Sequence, residues 1–304
     1  MRIEQIDTDI LLFTGDACES LATAFIDSER VLLVDALASD ADALAMRDHL
    51  EGKLGKKVHA IVLTHGHSDH LAGVRLFPGA EVIAQRLFLY TFMEKRDRPA
   101  ADDAAFVAPA IAVDQQMTLP WGRHTLELFH SPGKTMCSLG IDVASADLLF
   151  VADNIVGNIA YIGASVPQLI DEAIARLQRR GRSRIIPGHM GLQDRTALSN
   201  ARHYLAMLGA RVSQARATSP DADAAGKIRA IGIGECLASN QKATPFEQHW
   251  HAQNLEIIIE RKLFALAYRA PAPAEESRFA TIKRCCTVLS TMMGMFGQLA
   301  QRGL

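Results

Sequence analysis

Three histidines and an aspartate fall within six positions of the segment Thr64-His65-Gly66-His67-Ser68-Asp69-His70. Neutral imidazoles and a carboxylate are donors that Zn²⁺ or Fe²⁺ prefers. On an extended segment, residues two apart point the same way, so His65 and His67 can converge on one ion. Asp69 and His70 sit where the chain turns and can face a second ion beside it. Gly66 lets the backbone fold tightly around the pair. A single histidine here would read as a polar loop residue. The grouping H-x-H-x-D-H, directly after an apolar run, reads as a metal site.

That apolar run, 58–64, is the buried strand that must position the cluster. Before it, 2–6, 10–14, 22–27 and 30–35 also read as strands, the last two forming a hairpin at Ser28-Glu29. Residues 40–50 have helical spacing, with Ala41, Leu44 and Ala45 on one face and Gly52 as the stop. A helix is expected over 69–74, a strand over 81–84 and a helix over 85–95. The stretch 96–112 has no clear period and reads as a loop or lid. Strands follow at 113–119, 125–130, 138–144 and 147–152, then an amphipathic helix at 167–179 and a short strand at 184–186.

Beyond about 192 the pattern is helical: 194–217, a break at 219–223, 245–267, a linker at 270–276 and a last helix at 278–300. The reading divides the chain into a β-rich domain, 1–192, and a helical extension, 193–304. The extension is expected to cap the site or to form a homodimer through its helices.

The chain has 304 residues, 49% hydrophobic and 22% charged, enough for a sizeable core. Lys+Arg is 32 and Asp+Glu is 34, so no cationic excess favours nucleic acid. Five cysteines, an odd number with no C-x-x-C pair, argue against a disulfide framework and for a reducing compartment. The N-terminal segment is charged too early for a signal peptide. The uncharged run 285–300 is shorter than the roughly 20 apolar residues of a membrane span. A cytoplasmic protein is the expectation.

The motif THGHSDH resembles the T-H-x-H-x-D-H signature of the metallo-β-lactamase-fold superfamily, in layout the branch of glyoxalase II-like hydrolases. Other landmarks recur in order. Leu32-Leu33-Val34-Asp35 is similar to the family's strand ending in aspartate near the site. Ser131-Pro132-Gly133-Lys134-Thr135 lies where the family has P-G-H-T, Phe150-Val151-Ala152-Asp153 resembles its F-x-G-D, and Pro187-Gly188-His189 its P-G-H. The resemblance covers about 8–192 and implies an α/β fold, an αββα sandwich with the site on loops at one edge.

It also implies a ligand set. His65, His67 and the histidine of P-G-H-T would hold one ion; Asp69, His70 and His189 would hold a second, with Asp153 between them. Here that P-G-H-T histidine is Lys134, and the glycine three residues on is Cys137. A protonated lysine cannot ligate a metal, and its charge opposes a nearby cation. One ion is therefore expected, in the Asp69/His70/His189 site, with Zn²⁺ favoured over Fe²⁺ or Mn²⁺. Lys134 then has three readings: a substitute charge that binds substrate or an oxyanion, a neutral-amine ligand, or the mark of a degenerate site. His130 is a less direct candidate for the gap.

The implied function is metal-dependent hydrolysis of a thioester, lactone or carboxylic ester of a small molecule, through metal-bound hydroxide. Asp69 would ligate and orient the nucleophile, and Lys134 would help stabilise the oxyanion. Two alternatives stay open: an iron-dependent oxygenase or oxidoreductase on the same fold, and a binding or regulatory protein. Cys137 reads as strand filler, and His249-Trp250-His251 as a packed tryptophan between polar residues. Phe88, Tyr90, Phe92 and Met93 read as core or pocket lining; Cys285-Cys286 and the Met292-Met293-Met295-Phe296 group read as packing residues.

Overall fold

A computed structural model describes residues 1–94, 106–218 and 221–265. Short β-branched and apolar runs build two sheets. The first holds β1 (Arg2–Asp7), β2 (Ile10–Thr14), β3 (Leu21–Asp27), β4 (Arg30–Val34), β5 (Lys57–Val62), β6 (Glu81–Gln85) and β7 (Ile111–Val113) in sequential order. It is antiparallel through β4 and parallel from β4 to β7. The second contains β8 (Gln116–Trp121), β9 (His124–His130), β10 (Leu139–Val143), β11 (Leu148–Ala152), β12 (Arg184–Pro187) and β13 (Gln193–Asp194), ordered 13-12-11-10-9-8. Only β11 and β12 run parallel in it.

Alternation along the strands makes three apolar layers. Leu32 and Val34 of β4 meet Leu126, Leu128, Ile141 and Phe150 between the sheets. Leu33, Ile61 and Leu63 face outward onto α1 (Asp40–Arg47) and α2 (Phe88–Glu94) through Met46, Phe88 and Phe92. Leu149, Val151 and Ile185 face the other side. There they meet Ile170, Ile174 and Leu177 of α3 (Pro167–Gln178), Leu205 of α4 (Thr196–Ala217) and Ile258 of α6 (Pro245–Glu260). The result is an αββα sandwich. Strands buried on both faces read as continuous apolar runs, which is why β11 (Leu148–Ala152) carries no polar residue. The sheets are also fastened by polar bonds. Trp121 Nε1 donates to the Phe25 carbonyl at 3.0 Å. Arg123 donates to both oxygens of Asp9 at 2.7 and 2.9 Å.

Several expectations need correction. No helix forms over 69–74; the segment holds two single-turn 3₁₀ helices, Ser68–His70 and Val74–Leu76. The amides of Ala72 and Gly73 donate to the carbonyls of Leu37 and Ala36 instead of to a preceding turn. The run 113–119 splits between β7 and β8. The break at 219–223 gives way to a helix, α5 (Asp221–Arg229). The helix begun at Pro245 ends at Glu260. Residues 96–105 of the insert, the linker at 270–276, the helix at 278–300 and the residues Cys285, Cys286, Met292, Met293, Met295 and Phe296 lie outside the described residues. Among the described residues, no helix is long and apolar enough to cross a membrane.

Candidate metal centre

The carboxyl ends of four parallel-paired strands converge at one edge of the sandwich. β4 delivers Asp35, β5 delivers Thr64 and His65, β11 delivers Asp153, and β12 delivers His189 through Pro187-Gly188. The edges of the two sheets are laced together there. Leu139 N donates to the Thr64 carbonyl at 2.8 Å, and Leu21 N to the Gly188 carbonyl at 3.0 Å. Backbone strain collects at the same edge: Asp35, Ala152 and Met190 take φ of 59°, 50° and 69°.

The six side chains expected as ligands meet here in two groups. Asp69, His70, Asp153 and His189 bring one donor atom each to within 4.8 Å of one another, and so do His65, His67 and Asp153. Asp153 belongs to both. Its Oδ1 lies 3.5 Å from His70 Nε2 and 3.6 Å from His189 Nε2, and its Oδ2 lies 3.4 Å from His65 Nε2. Asp69 Oδ2 is 3.4 Å from His189 Nε2 and 3.9 Å from His70 Nε2. These distances leave a gap between donors rather than closing it with hydrogen bonds. Asp153 Oδ1, His65 Nε2 and His70 Nε2 are buried and lack a hydrogen-bond partner among the described residues. Buried polar atoms are rarely left so, because each costs about 1–3 kcal/mol. A divalent ion among Asp69, His70, Asp153 and His189 would satisfy Asp153 Oδ1 and His70 Nε2 together, and imidazole with carboxylate is a donor set that suits it. The residues present fit a metal ion.

Supporting contacts fix the ligand atoms. His189 Nδ1 is 2.7 Å from the Cys18 carbonyl, which requires an Nδ1–H donor and turns Nε2 inward. Asp35 accepts from Thr64 N at 2.8 Å and Thr64 Oγ1 at 2.7 Å, and its Oδ2 lies 3.3 Å from His70 Nδ1. Thr64 Oγ1 also reaches His65 Nδ1 at 3.1 Å. Two glycines admit this crowding. A Cβ on Gly188 would stand 1.9 Å from Asp153 Oδ1, and one on Gly66 would stand 2.7 Å from the Phe88 carbonyl.

Lys134 enters the centre from the β9–β10 connection. Its ammonium donates to Asp153 Oδ2, and its backbone N–H donates to Asn154 Oδ1 at 2.9 Å. Its Nζ lies 5.0 Å from the centre of the Tyr161 ring. Burial presses Lys134 toward its neutral form, but Asp153 and Asp69 outweigh it and raise its pKa. Burial also opposes charge on His189, and Asp153 with Asp69 still raises it to about 9. His67 goes the other way: burial, then the positive Lys134, hold it well below the usual histidine range. The two halves therefore differ in charge. Around Asp69 and Asp153 the field attracts a cation; around His67 a fixed cation is already present.

Among the remaining candidates, Cys137 is fully buried, with Thr135 Oγ1 3.7 Å from its sulfur, and burial pushes its thiol up. His130 Nε2 is bound to the Met136 carbonyl at 2.7 Å. Phe88 and Phe92 are core, whereas Tyr90 and Met93 are exposed. His251 is buried between Tyr204 Oη and the Ile231 carbonyl, both at 2.9 Å. Sequence reasoning missed Cys18, whose carbonyl is the relevant atom, and Asn154, which follows the recognised Asp153. It also missed Tyr161, Phe246 and Trp250 as neighbours of the site.

Two sheets, helices outside them and a histidine–aspartate cluster at one edge make up the metallo-beta-lactamase type of fold. The family model described as the metallo-beta-lactamase superfamily matches residues 15–189, and the chain belongs to that superfamily. It is similar to a metallo-beta-lactamase type 2 of Bacillus cereus, 23% identical over 129 residues. That match takes in 42% of this chain and spans about half of the relative, 47%. Among solved structures it is similar to a metallo-beta-lactamase from Pontibacter korlensis, with TM-score 0.58 and 19% identity over 67% of this chain and 98% of that one. It is also similar to the stereoselective inverting sec-alkylsulfatase Pisa1 from Pseudomonas sp., with TM-score 0.63 and 16% identity over 91% of this chain and 52% of that one. At these identities the structural likeness is one of fold.

Proposed function

We propose that this protein is a metal-dependent hydrolase of a small ester-type bond: a thioester, lactone or carboxylic ester. The observation that carries the reading is the division of Asp153. Its Oδ1, without a hydrogen-bond partner among the described residues, faces His70 and His189, while its Oδ2 is held by Lys134. The metallo-beta-lactamase relative, and the alkylsulfatase that shares the fold, support hydrolysis as the reaction class.

Asp69, His70, Asp153 and His189 would hold one ion, with zinc as the first expectation. Bound there, a divalent ion supplies Lewis acidity and hydroxide near neutral pH. Lys134 opposes a second ion beside His65 and His67. Asp69 is the more open carboxylate, 32% exposed against 1% for Asp153, and would both ligate the ion and orient the nucleophile. The Lys134 ammonium would stabilise charge developing on the carbonyl oxygen of the substrate.

Metal analysis after purification tests the ion count. About one ion per chain is expected, and Lys134→His should raise it toward two. Two tightly held ions in the unaltered protein would overturn the one-ion reading. A panel of activated thioesters and lactones tests the reaction: Asp69→Ala and His189→Ala should each lower turnover by at least about 100-fold. Unchanged rates in both variants would end the hydrolase proposal.

A further inference from the structure

Helix α6 starts more than fifty residues after His189 in sequence, yet it packs beside the centre. Thr244 caps it, and Glu247 completes a capping box. Three residues of α6 and its C-cap, spaced by seven, then seize the loop that follows Asp153. Glu247 accepts from Asn158 N at 2.7 Å. Asn254 accepts from Ile162 N and donates to the Ala160 carbonyl, both at 2.8 Å. Arg261 donates to the Gly163 and Ser165 carbonyls at 2.9 and 2.7 Å. Residues seven apart lie on one helix face, so this is a single clamp. The loop it holds carries Tyr161.

Around that clamp lies a run of aromatic rings. Phe246 stands 5.8 Å from His189, Trp250 stands 5.9 Å from Phe246, and Tyr161 stands 4.4 Å from Trp250. Tyr161 in turn lies against the Lys134 ammonium. The run therefore begins at one end of the centre and returns to the other. Phe246, Trp250 and Tyr161 are each half-buried, whereas the rings deeper in the same layer, such as Tyr204, are fully buried. Half-open aromatic faces beside a polar centre are the usual lining of a small-molecule site.

We infer that Phe246, Trp250 and Tyr161 form the substrate wall, and that it takes an acyl or leaving group bearing a phenyl or an extended alkyl chain. This deepens the ester-hydrolase reading and rests on it for the scissile bond, but the wall itself is a binding surface that can be measured without turnover. A carboxylate with such a chain mimics the product side of the reaction. Its charged end would meet Lys134, and its apolar end would lie on the rings.

The test is calorimetric titration of the full, metal-loaded chain with 4-phenylbutyrate and with acetate. The wall predicts that 4-phenylbutyrate binds at least about tenfold tighter than acetate. Phe246→Ala and Trp250→Ala should each erase most of that difference, while Trp250→Phe should retain it. Circular dichroism of the variants guards against unfolding, and a misfolded alanine variant leaves Trp250→Phe against Trp250→Leu as the deciding pair. Equal affinity for the two carboxylates, or a preference unmoved in the folded variants, would overturn the inference. Selective binding without hydrolysis of any phenylalkyl ester or thioester would uphold the wall and overturn the hydrolase reading instead.

Discussion

Lys134 and Asp153 form a buried ion pair at the join of the two halves of the metal centre, their side chains 6% and 1% exposed. A buried pair is costly to assemble, and breaking it leaves a charge without compensation. Lys134→Ala should therefore destabilise the metal-depleted protein by about 3 kcal/mol. Urea unfolding in the presence of a chelator checks this. A loss below about 1 kcal/mol would mean that water reaches Asp153 freely.

Ala152, immediately before Asp153, holds φ at 50°, a left-handed conformation that costs a side-chain-bearing residue about 1–2 kcal/mol. The F-x-G-D motif that Phe150–Asp153 resembles carries glycine there. Ala152→Gly should raise stability by up to about 1 kcal/mol, because glycine's greater freedom in the unfolded chain offsets part of the relief. A lowered thermal midpoint would contradict it.

The clasp between the sheets gives a pH dependence. Hydrogen bonding from Arg123, and then from His124, lowers the Asp9 carboxyl to about 2. A carboxylate depressed in the folded state adds stability that is complete above about pH 4 and is lost as pH falls toward 2. Arg123 is half exposed, so screening holds the contribution to about 1 kcal/mol. Asp9→Asn should weaken the fold at pH 6 and flatten its decline between pH 4 and 2. Parallel curves for the two proteins would refute the assignment.

Asn254 is fully buried and bonded to the Ile162 amide, the Ala160 carbonyl and Tyr204 Oη. Asn254→Ala would leave the Ile162 amide and the Ala160 carbonyl unpaired, at a cost of about 3 kcal/mol, while Tyr204 Oη keeps its bond to His251. It should also loosen the loop carrying Tyr161. Hydrogen exchange of the Ile162 amide reads that loosening directly, and unchanged protection would speak against the clamp.

A chain ending at residue 192 should fail to fold by itself. Ile170, Ile174, Leu177 and Ile185 belong to the same apolar layer as Leu198, Leu205, Leu208 and Ile258. Cutting between them exposes a continuous apolar surface, the mark of an aggregating fragment. A soluble, cooperatively unfolding 1–192 fragment would show that the first part is independent.

The order of strands and the histidine cluster were legible in the sequence because both are local patterns. Short apolar runs between polar breaks report the strands, and H-x-H-x-D-H concentrates donors in a short stretch. The segment after it was not legible as two short turns. Its amides at Ala72 and Gly73 are claimed by the carbonyls of Leu37 and Ala36, which a neighbouring loop brings close. The helix α5 was hidden by a Ser-Pro break and by small residues that leave a weak apolar stripe.

By itself the sequence determined the strand-rich pattern and the residue types at the centre, and through its motifs the family, whose resemblance implied the two sheets and showed a lysine where a histidine was expected. Local propensity and donor spacing need no partner to be read. Only the tertiary structure decided that Lys134 grips Asp153, that the Cys18 carbonyl orients His189, and that Phe246 and Trp250 stand beside the centre. Those contacts join segments from 19 to 171 residues apart. They depend on how the sheets and helices pack, which no single stretch of chain encodes.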